Sequence, residues 1–230
     1  MAKISEVAKF FKRDHFNRLL VKIFYYPLAV LVSWIAVSLG IHAHIVNLLG
    51  LASTISAALI IFYLGGKWMI LAGFLVAFGL VIDLSDGTVA RFYNNKNAMG
   101  KWLDESSGII GLCVVFFALM MKTFVENSDL LIIVLGTYVI FSYFMINYAA
   151  LLSEVLRAKF NLTNPMENVR AKASRTLFGI PPGFFAFALD IQWTLVALGV
   201  MFNRPYELFI IFGVISTLQW MSRYIVFLGK

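Results

Sequence analysis

The chain has 230 residues, of which 61% are apolar types and 13% charged, and its formal charge is +7. Soluble domains average roughly 45–50% apolar and about 25% charged residues, so a soluble globular domain, a disordered chain and a coiled coil are all excluded. The charge does not point to nucleic acid, because the basic residues cluster at the ends of apolar segments rather than along a polar face.

Residues 1–22 carry Lys3, Lys9, Lys12, Arg13, Arg18 and Lys22, with Ile4, Val7, Ala8, Phe11 and Leu19 at helical spacing. That pattern predicts an amphipathic helix on an anionic membrane face. Six long apolar segments follow, at 45–65, 68–91, 101–122, 130–153, 178–202 and 206–228. Each is near the ~20 residues that a hydrocarbon core ~30 Å thick demands. A seventh stretch, 23–40, is short, contains Pro27 and opens on Phe24, Tyr25 and Tyr26. With six spans and an internal N-terminus, sixteen of the 19 Lys and Arg fall on the cytoplasmic side, leaving Lys67, Lys122 and Arg204 outside. A spanning 23–40 would separate the six N-terminal charges from the other cytoplasmic ones. The positive-inside bias therefore favours an all-α polytopic membrane protein with six transmembrane helices, and 23–40 lying in plane or re-entrant. Residues 1–44 are expected to form amphipathic and in-plane juxtamembrane helices and 45–230 a six-helix transmembrane catalytic domain, with both termini and the active site facing the cytoplasm. The single cysteine, Cys113, lies inside an apolar run and forms no intrachain disulfide.

Four of the twelve acidic residues, Asp83, Asp86, Asp104 and Glu105, fall within 23 positions. The first two follow an unbroken apolar run, where an ionised carboxylate costs about 2.5–3.5 kcal/mol on insertion scales. At 100° per residue Asp83, Asp86, Gly87 and Ala90 share one helix face, with Arg91 at its edge. Gly100, Asp104, Ser107 and Gly108 share a face of the next helix. The polar connection 92–99 is short, so the two helices are expected to be antiparallel neighbours with their carboxylates meeting. Three converging carboxylates repel one another, and a hard divalent cation such as Mg²⁺ relieves the repulsion while sharing its shell with phosphate oxygens. Arg91 offers a planar donor fork for phosphate. Gly87 and Ala90 leave room for a ligand beside the backbone.

The pattern Asp83-x2-Asp86-Gly87-x2-Ala90-Arg91-x8-Gly100-x3-Asp104 resembles the signature of the CDP-alcohol phosphotransferases, integral membrane enzymes of phospholipid synthesis. The resemblance is close over 83–108 and looser over most of the chain. It implies transfer of a phospho-alcohol group, commonly phosphatidyl, from a CDP-linked lipid donor to a hydroxyl acceptor with release of CMP. It also implies Mg²⁺ or Mn²⁺ held by Asp83, Asp86 and Asp104, a CDP site lined by Gly87, Ala90, Arg91 and Gly100, and a homodimer. Phosphoryl transfer depends mainly on positioning and charge neutralisation, in keeping with that residue set.

Two departures stand out. The family signature ends in an Asp thought to be the general base, and that position is Gly108 here. Glu105 points about 100° away from Asp104 around the helix, and Ser107 is on the right face but is a poor base. The family's Pro-Asn and Thr at the start of the first span correspond to the stretch His42 to Asn47, where His44 can accept a proton near neutral pH. The base is thus left open among His44, Ser107, Glu105 and metal-bound water. The alternative is a non-catalytic or weakly active relative that binds CDP-lipid. Arg170, Lys172 and Arg175, in the polar loop before the fifth span, suit a phosphorylated acceptor.

Overall fold

The computed structural model describes residues 3–11, 18, 20–95, 98–160 and 187–228. Every regular element among them is helical. The helices are α1 (Ile4–Ala8), α2 (Tyr26–Ser38, entered by a π-helical turn at Val21–Tyr25), α3 (Ala43–Tyr63), α4 (Met69–Phe92, entered by a 3-10 turn at Gly66–Trp68), α5 (Ala98–Asn127), α6 (Leu130–Phe160), α7 (Leu189–Met201) and α8 (Pro205–Leu228).

Three helix ends are closed by a non-glycine residue in the left-handed region: Asn94 (φ 51°), Ser128 (φ 54°) and Asn203 (φ 51°). Each reversal ties an amide back to the last turn: Asn95 N to Ala90 O at 2.9 Å, Ser128 N to Phe124 O at 2.7 Å and Arg204 N to Gly199 O at 2.9 Å. Such closures satisfy carbonyls at the helix end and reverse the chain sharply. At the α5–α6 turn Asp129 adds a cap, accepting from the Leu131 amide at 2.9 Å through Oδ1 and from the Tyr206 hydroxyl at 2.7 Å through Oδ2.

The bundle is inverted relative to a soluble protein. Ser33, Asn47, Ser85, Asp86, Thr88, Asp190 and Gln192 are buried, while Leu48, Leu59, Ile70, Phe74, Phe141 and Ile210 are exposed. That distribution suits helices whose outer faces meet lipid and whose polar groups find partners inside. Among the described residues, six helices have the length and hydropathy to cross a membrane: Val21–Ser38, Ala43–Tyr63, Gly66–Phe92, Ala98–Asn127, Leu130–Phe160 and Pro205–Ile225. The chain is an all-helical polytopic membrane protein.

Five of these helices fall on the expected spans 45–65, 68–91, 101–122, 130–153 and 206–228, and Val21–Ser38 covers the stretch expected to lie in plane or re-entrant. Of the segment 178–202, the described helix Leu189–Met201 has 13 residues, too short to cross unaided, and 178–186 lie outside the described residues. Val21–Ser38 also reaches spanning length, but the chain before it and its own C-terminal end both lie at the Arg91 end of the bundle, so it does not carry the chain from one side to the other. This helix is not peripheral: Val21, Tyr25, Ala29 and Val30 belong to the same apolar core as α4 and α7. Ser85 Oγ donates to Ala29 O at 3.0 Å, and the Tyr93 hydroxyl donates to Val37 O at 3.2 Å, so α2 ends level with the C-terminal end of α4. The segment before it reaches that same end, where Arg91 Nε donates to Phe10 O at 2.6 Å. The described part of the amphipathic lead opens with the five-residue helix α1. Its Val7 and Phe11 are buried within the protein rather than turned to a lipid surface.

α4 and α5 are not direct neighbours, contrary to expectation. Both pack along α3, and their backbones share almost no contact with each other. Thr54 of α3 is the wedge between them. A Cβ on Gly79 of α4 would come within 2.8 Å of Thr54 Cγ2, and a Cβ on Gly111 of α5 within 2.7 Å of Thr54 Oγ1. Only glycine permits that approach on both sides. α6 then packs on α5 and α8, and α7 on α4, around an aromatic core in which Phe116 meets Tyr143, Phe209 and Phe212.

Candidate active site

Although α3 separates the backbones of α4 and α5, their carboxylates reach each other at the end of the bundle marked by Arg91. The Asp83 and Asp104 carboxyls lie within hydrogen-bonding reach. A Cβ on Gly108 would lie 3.9 Å from Asp83 Oδ1, with no other atom as near. Asp86 turns to the other side of the septum, where Asn47 Nδ2 of α3 donates to its Oδ2 at 2.7 Å. Among the described residues, no three acidic, histidine or cysteine side chains are already drawn together as a ligand set.

Two chambers flank these carboxylates, and Asp104 borders both. The first, about 440 Å³, is lined by His44, Asn47, Asp86, Gly87, Ala90, Arg91, Gly100 and Lys101 among others. It gathers every residue that the signature assigns to CDP, together with His44. Arg91 is oriented from two sides: its Nε by the Phe10 carbonyl, and one terminal nitrogen by Thr88 Oγ1 at 3.3 Å. Asn47 Oδ1 is buried and has no hydrogen-bond partner among the described residues.

The second chamber, about 370 Å³, opens beside Asp83 and Gly108 and is walled by Tyr143, Phe144, Asn147 and Tyr148 of α6 and by Trp193 of α7. Glu105 and Glu154 stand in its lining too. Lys101 bridges these two glutamates, at 2.7 Å from Glu154 and 3.7 Å from Glu105. Ser107 is buried and its hydroxyl donates to the Asp104 carbonyl at 3.0 Å, so that donor is spent on its own helix. Arg170, Lys172 and Arg175 lie outside the described residues.

Asp86, Gly87, Ala90, Arg91, Gly100 and Asp104 line the first chamber together, whereas Asp83, expected on the same face as Asp86, lines the second. Tyr143, Asn147, Tyr148 and Trp193 carry no local signal. They come from helices far along the chain, and only packing delivers them to Gly108.

A family model described as CDP-alcohol phosphatidyltransferase matches residues 41–205. The chain belongs to this family. The matched region begins just before α3 and ends where α8 starts, so it contains both chambers and every described signature residue. Comparison with curated proteins gives no match. Membership makes this CDP-alcohol phosphatidyltransferase relative a membrane protein of phospholipid synthesis whose family transfers phosphorus-containing groups from CDP-linked donors.

Proposed function

We propose that the protein transfers a phosphatidyl group from a CDP-linked lipid to the hydroxyl of a small acceptor, releasing CMP, with the donor's nucleotide in the His44–Arg91 chamber and the acceptor in the Tyr143–Trp193 chamber. The observation that carries this reading is the septum: Asp83, Asp86 and Asp104 stand where the two chambers meet, with Asp104 on both. The acceptor oxygen attacks the lipid-bearing phosphorus. A new P–O ester bond forms, the P–O bond to CMP breaks, CMP leaves with the electron pair, and the hydroxyl proton is given up to the site. Phosphoryl transfer of this kind needs in-line positioning and charge neutralisation more than covalent help.

The residues fit the family's divalent ion. Asp83, Asp86 and Asp104 would hold it, Asn47 already braces Asp86, and the partnerless Asn47 Oδ1 offers a further oxygen at the same wall. When bound, a divalent ion of this kind neutralises pyrophosphate charge. Arg91, pre-oriented by Phe10 and Thr88, presents its guanidinium to a phosphate oxygen. Gly87, Ala90 and Gly100 leave the donor chamber's floor bare for the nucleotide. His44 in the donor chamber and Glu105 in the acceptor chamber are the candidate proton acceptors, and His44→Gln and Glu105→Gln, made separately, identify which serves.

The deciding experiment is CMP release from CDP-diacylglycerol by the purified protein in lipid, with Mg²⁺ or Mn²⁺ and a panel of alcohols. Turnover abolished by chelation and lowered at least ~100-fold in Asp104→Asn supports the reading. Gly108 favours a second reading, a relative that binds CDP-lipid and turns over slowly. It requires thermal stabilisation by CDP-diacylglycerol plus Mg²⁺ with little or no CMP release, and brisk steady turnover excludes it.

We further take the site and both chain ends to face the cytoplasm and the protein to be a homodimer. The Lys and Arg distribution supports the orientation, as does the Phe10–Arg91 bond, which holds the N-terminal segment at the site end. The dimer rests on the family resemblance. Labelling of an introduced cysteine at Glu6, which should react only after permeabilisation, tests the first point, and mass measurement in detergent tests the second.

A further inference from the structure

The segment Lys3–Phe11 presents two different faces. On the inner one, Val7 is fully buried and packs with Ala36 and Val37 of α2, Val46 of α3 and Ile82 and Val89 of α4. Phe11 is buried as well, with its ring edge-on to Tyr26 at 4.9 Å. These two side chains seat the segment on three helices at once. The outer face carries Lys3, Ile4, Lys9 and Phe10, all exposed. Ile4 leaves 47% of its surface outside the protein and Phe10 leaves 39%. Glu6 is exposed too, and its carboxylate accepts from the Lys3 amide at 3.0 Å, closing the first turn of α1. Basic residues outnumber acidic ones over the whole stretch 1–22, six against two (Glu6 and Asp14). Exposed apolar side chains flanked by lysines, at the end of a membrane bundle, suit one kind of partner: a lipid surface with anionic headgroups.

The same segment reaches into the donor chamber's wall. The Phe10 carbonyl accepts from Arg91 Nε at 2.6 Å, and the Phe10 ring meets that of Phe92, the next residue of α4, edge-on at 5.3 Å. With Nε held there, the Arg91 guanidinium folds back along its helix, so that a Cβ on Gly87 would lie 3.2 Å from one terminal nitrogen. Arg91 and Gly87 both line the donor chamber. Phe10 is thus a positioning residue for Arg91, and its own position is set by how the segment is seated.

We propose that anionic lipid headgroups bind the outer face of Lys3–Phe10 and hold the segment seated, so that Arg91 is kept over the donor chamber and nucleotide affinity rises with the anionic lipid content of the membrane. Seating uses Val7 and Phe11, whereas lipid binding uses Lys3, Ile4, Lys9 and the open side of Phe10, so the two contacts do not compete. A ligand that binds the seated arrangement raises its population, and the nucleotide gains because Arg91 is oriented there. The inference rests on the reading above for the nucleotide in the His44–Arg91 chamber and adds what regulates it.

The test uses the full-length protein in nanodiscs of phosphatidylcholine, alone or with phosphatidylglycerol as about a third of the lipid. Equilibrium binding of radiolabelled CDP is measured with saturating Mg²⁺, and each protein is described by its ratio of affinities, anionic over neutral. An anionic surface repels CDP whichever protein is embedded in it, so the ratio for the unaltered protein is compared with that for Lys3→Gln/Lys9→Gln. A lysine beside such a surface is worth about five-fold in affinity, and the unaltered protein is expected to show a ratio at least ~3-fold higher than the double variant. Phe10→Ala keeps both lysines but loosens the link to α4, and its ratio should fall to that of the double variant. Melting temperatures of the three proteins report any general loss of stability, which would lower affinity in both membranes and leave the ratio unchanged. Equal ratios for the unaltered protein and Lys3→Gln/Lys9→Gln, or an undiminished ratio in Phe10→Ala, overturn the inference and leave the nucleotide reading standing. Absence of CDP binding in both membranes overturns that reading and the inference with it.

Discussion

The side-chain amide of Asn47 on α3 donates to Oδ2 of Asp86 on α4 at 2.7 Å, inside the buried wall of the donor chamber. This bond ties the central helix to the signature helix at the place where the nucleotide is proposed to sit. A hydrogen bond to a charged group contributes ~1.5–3 kcal/mol. Asn47→Ala is therefore expected to raise the Mg²⁺ concentration needed for stabilisation by CDP-diacylglycerol by roughly ten-fold or more. A titration of the melting temperature against Mg²⁺ reads this directly. Asn47→Leu, which keeps bulk without the amide, should behave the same way.

A Cβ on Gly108 would make only an ordinary contact with its surroundings, 3.9 Å from Asp83 Oδ1. An aspartate there would start beside Asp83. If the family's last aspartate is the base, Gly108→Asp raises CMP release by up to ~10²–10⁴-fold, the usual contribution of a positioned base. Equal rates in both proteins mean that another group already takes the proton. Single-turnover CMP release separates this from a change in product release.

Thr54 is clamped between two glycines that leave it no slack. Gly111→Ala places a methyl 2.7 Å from Thr54 Oγ1, and overpacking of this kind destabilises by ~1–3 kcal/mol. The double variant Gly111→Ala/Thr54→Ala is expected to recover part of the lost thermal stability, because the clash partner is gone. Melting temperatures in one detergent, compared across the four proteins of the cycle, give the coupling.

The Tyr206–Asp129 bond ties α8 to the α5–α6 turn outside the apolar spans. The Tyr206 hydroxyl, and after it the Leu131 amide, hold the Asp129 carboxyl below its ordinary range. Its contribution to stability is therefore present above the unfolded-chain value near pH ~3.9 and is lost as pH falls through the lower folded one. Tyr206→Phe should lower the melting temperature slightly at pH 6–7, with the gap closing below about pH 4. A gap that widens in acid would contradict the bond's assigned role.

The helical membrane class was legible in composition, because 61% apolar content in runs near twenty residues has few other solutions. The donor-side cluster was legible too. Helical periodicity places Asp86, Gly87, Ala90 and Arg91 on neighbouring positions of one helix end before any tertiary contact forms. Asn47 carried a weaker signal, a lone amide at the start of an apolar run, and its partner could not be named from the sequence.

What the sequence by itself determined is local and periodic: the runs of apolar residues that form helices, and the position of the carboxylates at the ends of two of them. What only the tertiary structure decided is which helices lie side by side. A short 92–99 connection permits α4 and α5 to touch, but small residues at 79 and 111 let α3 enter between them and bury Thr54 on both sides. The same packing brings Tyr143 and Trp193 to the chamber beside Gly108 from positions 35 and 85 residues away. Helix-to-helix choice depends on the fit of whole surfaces, and no single stretch of chain encodes such a fit.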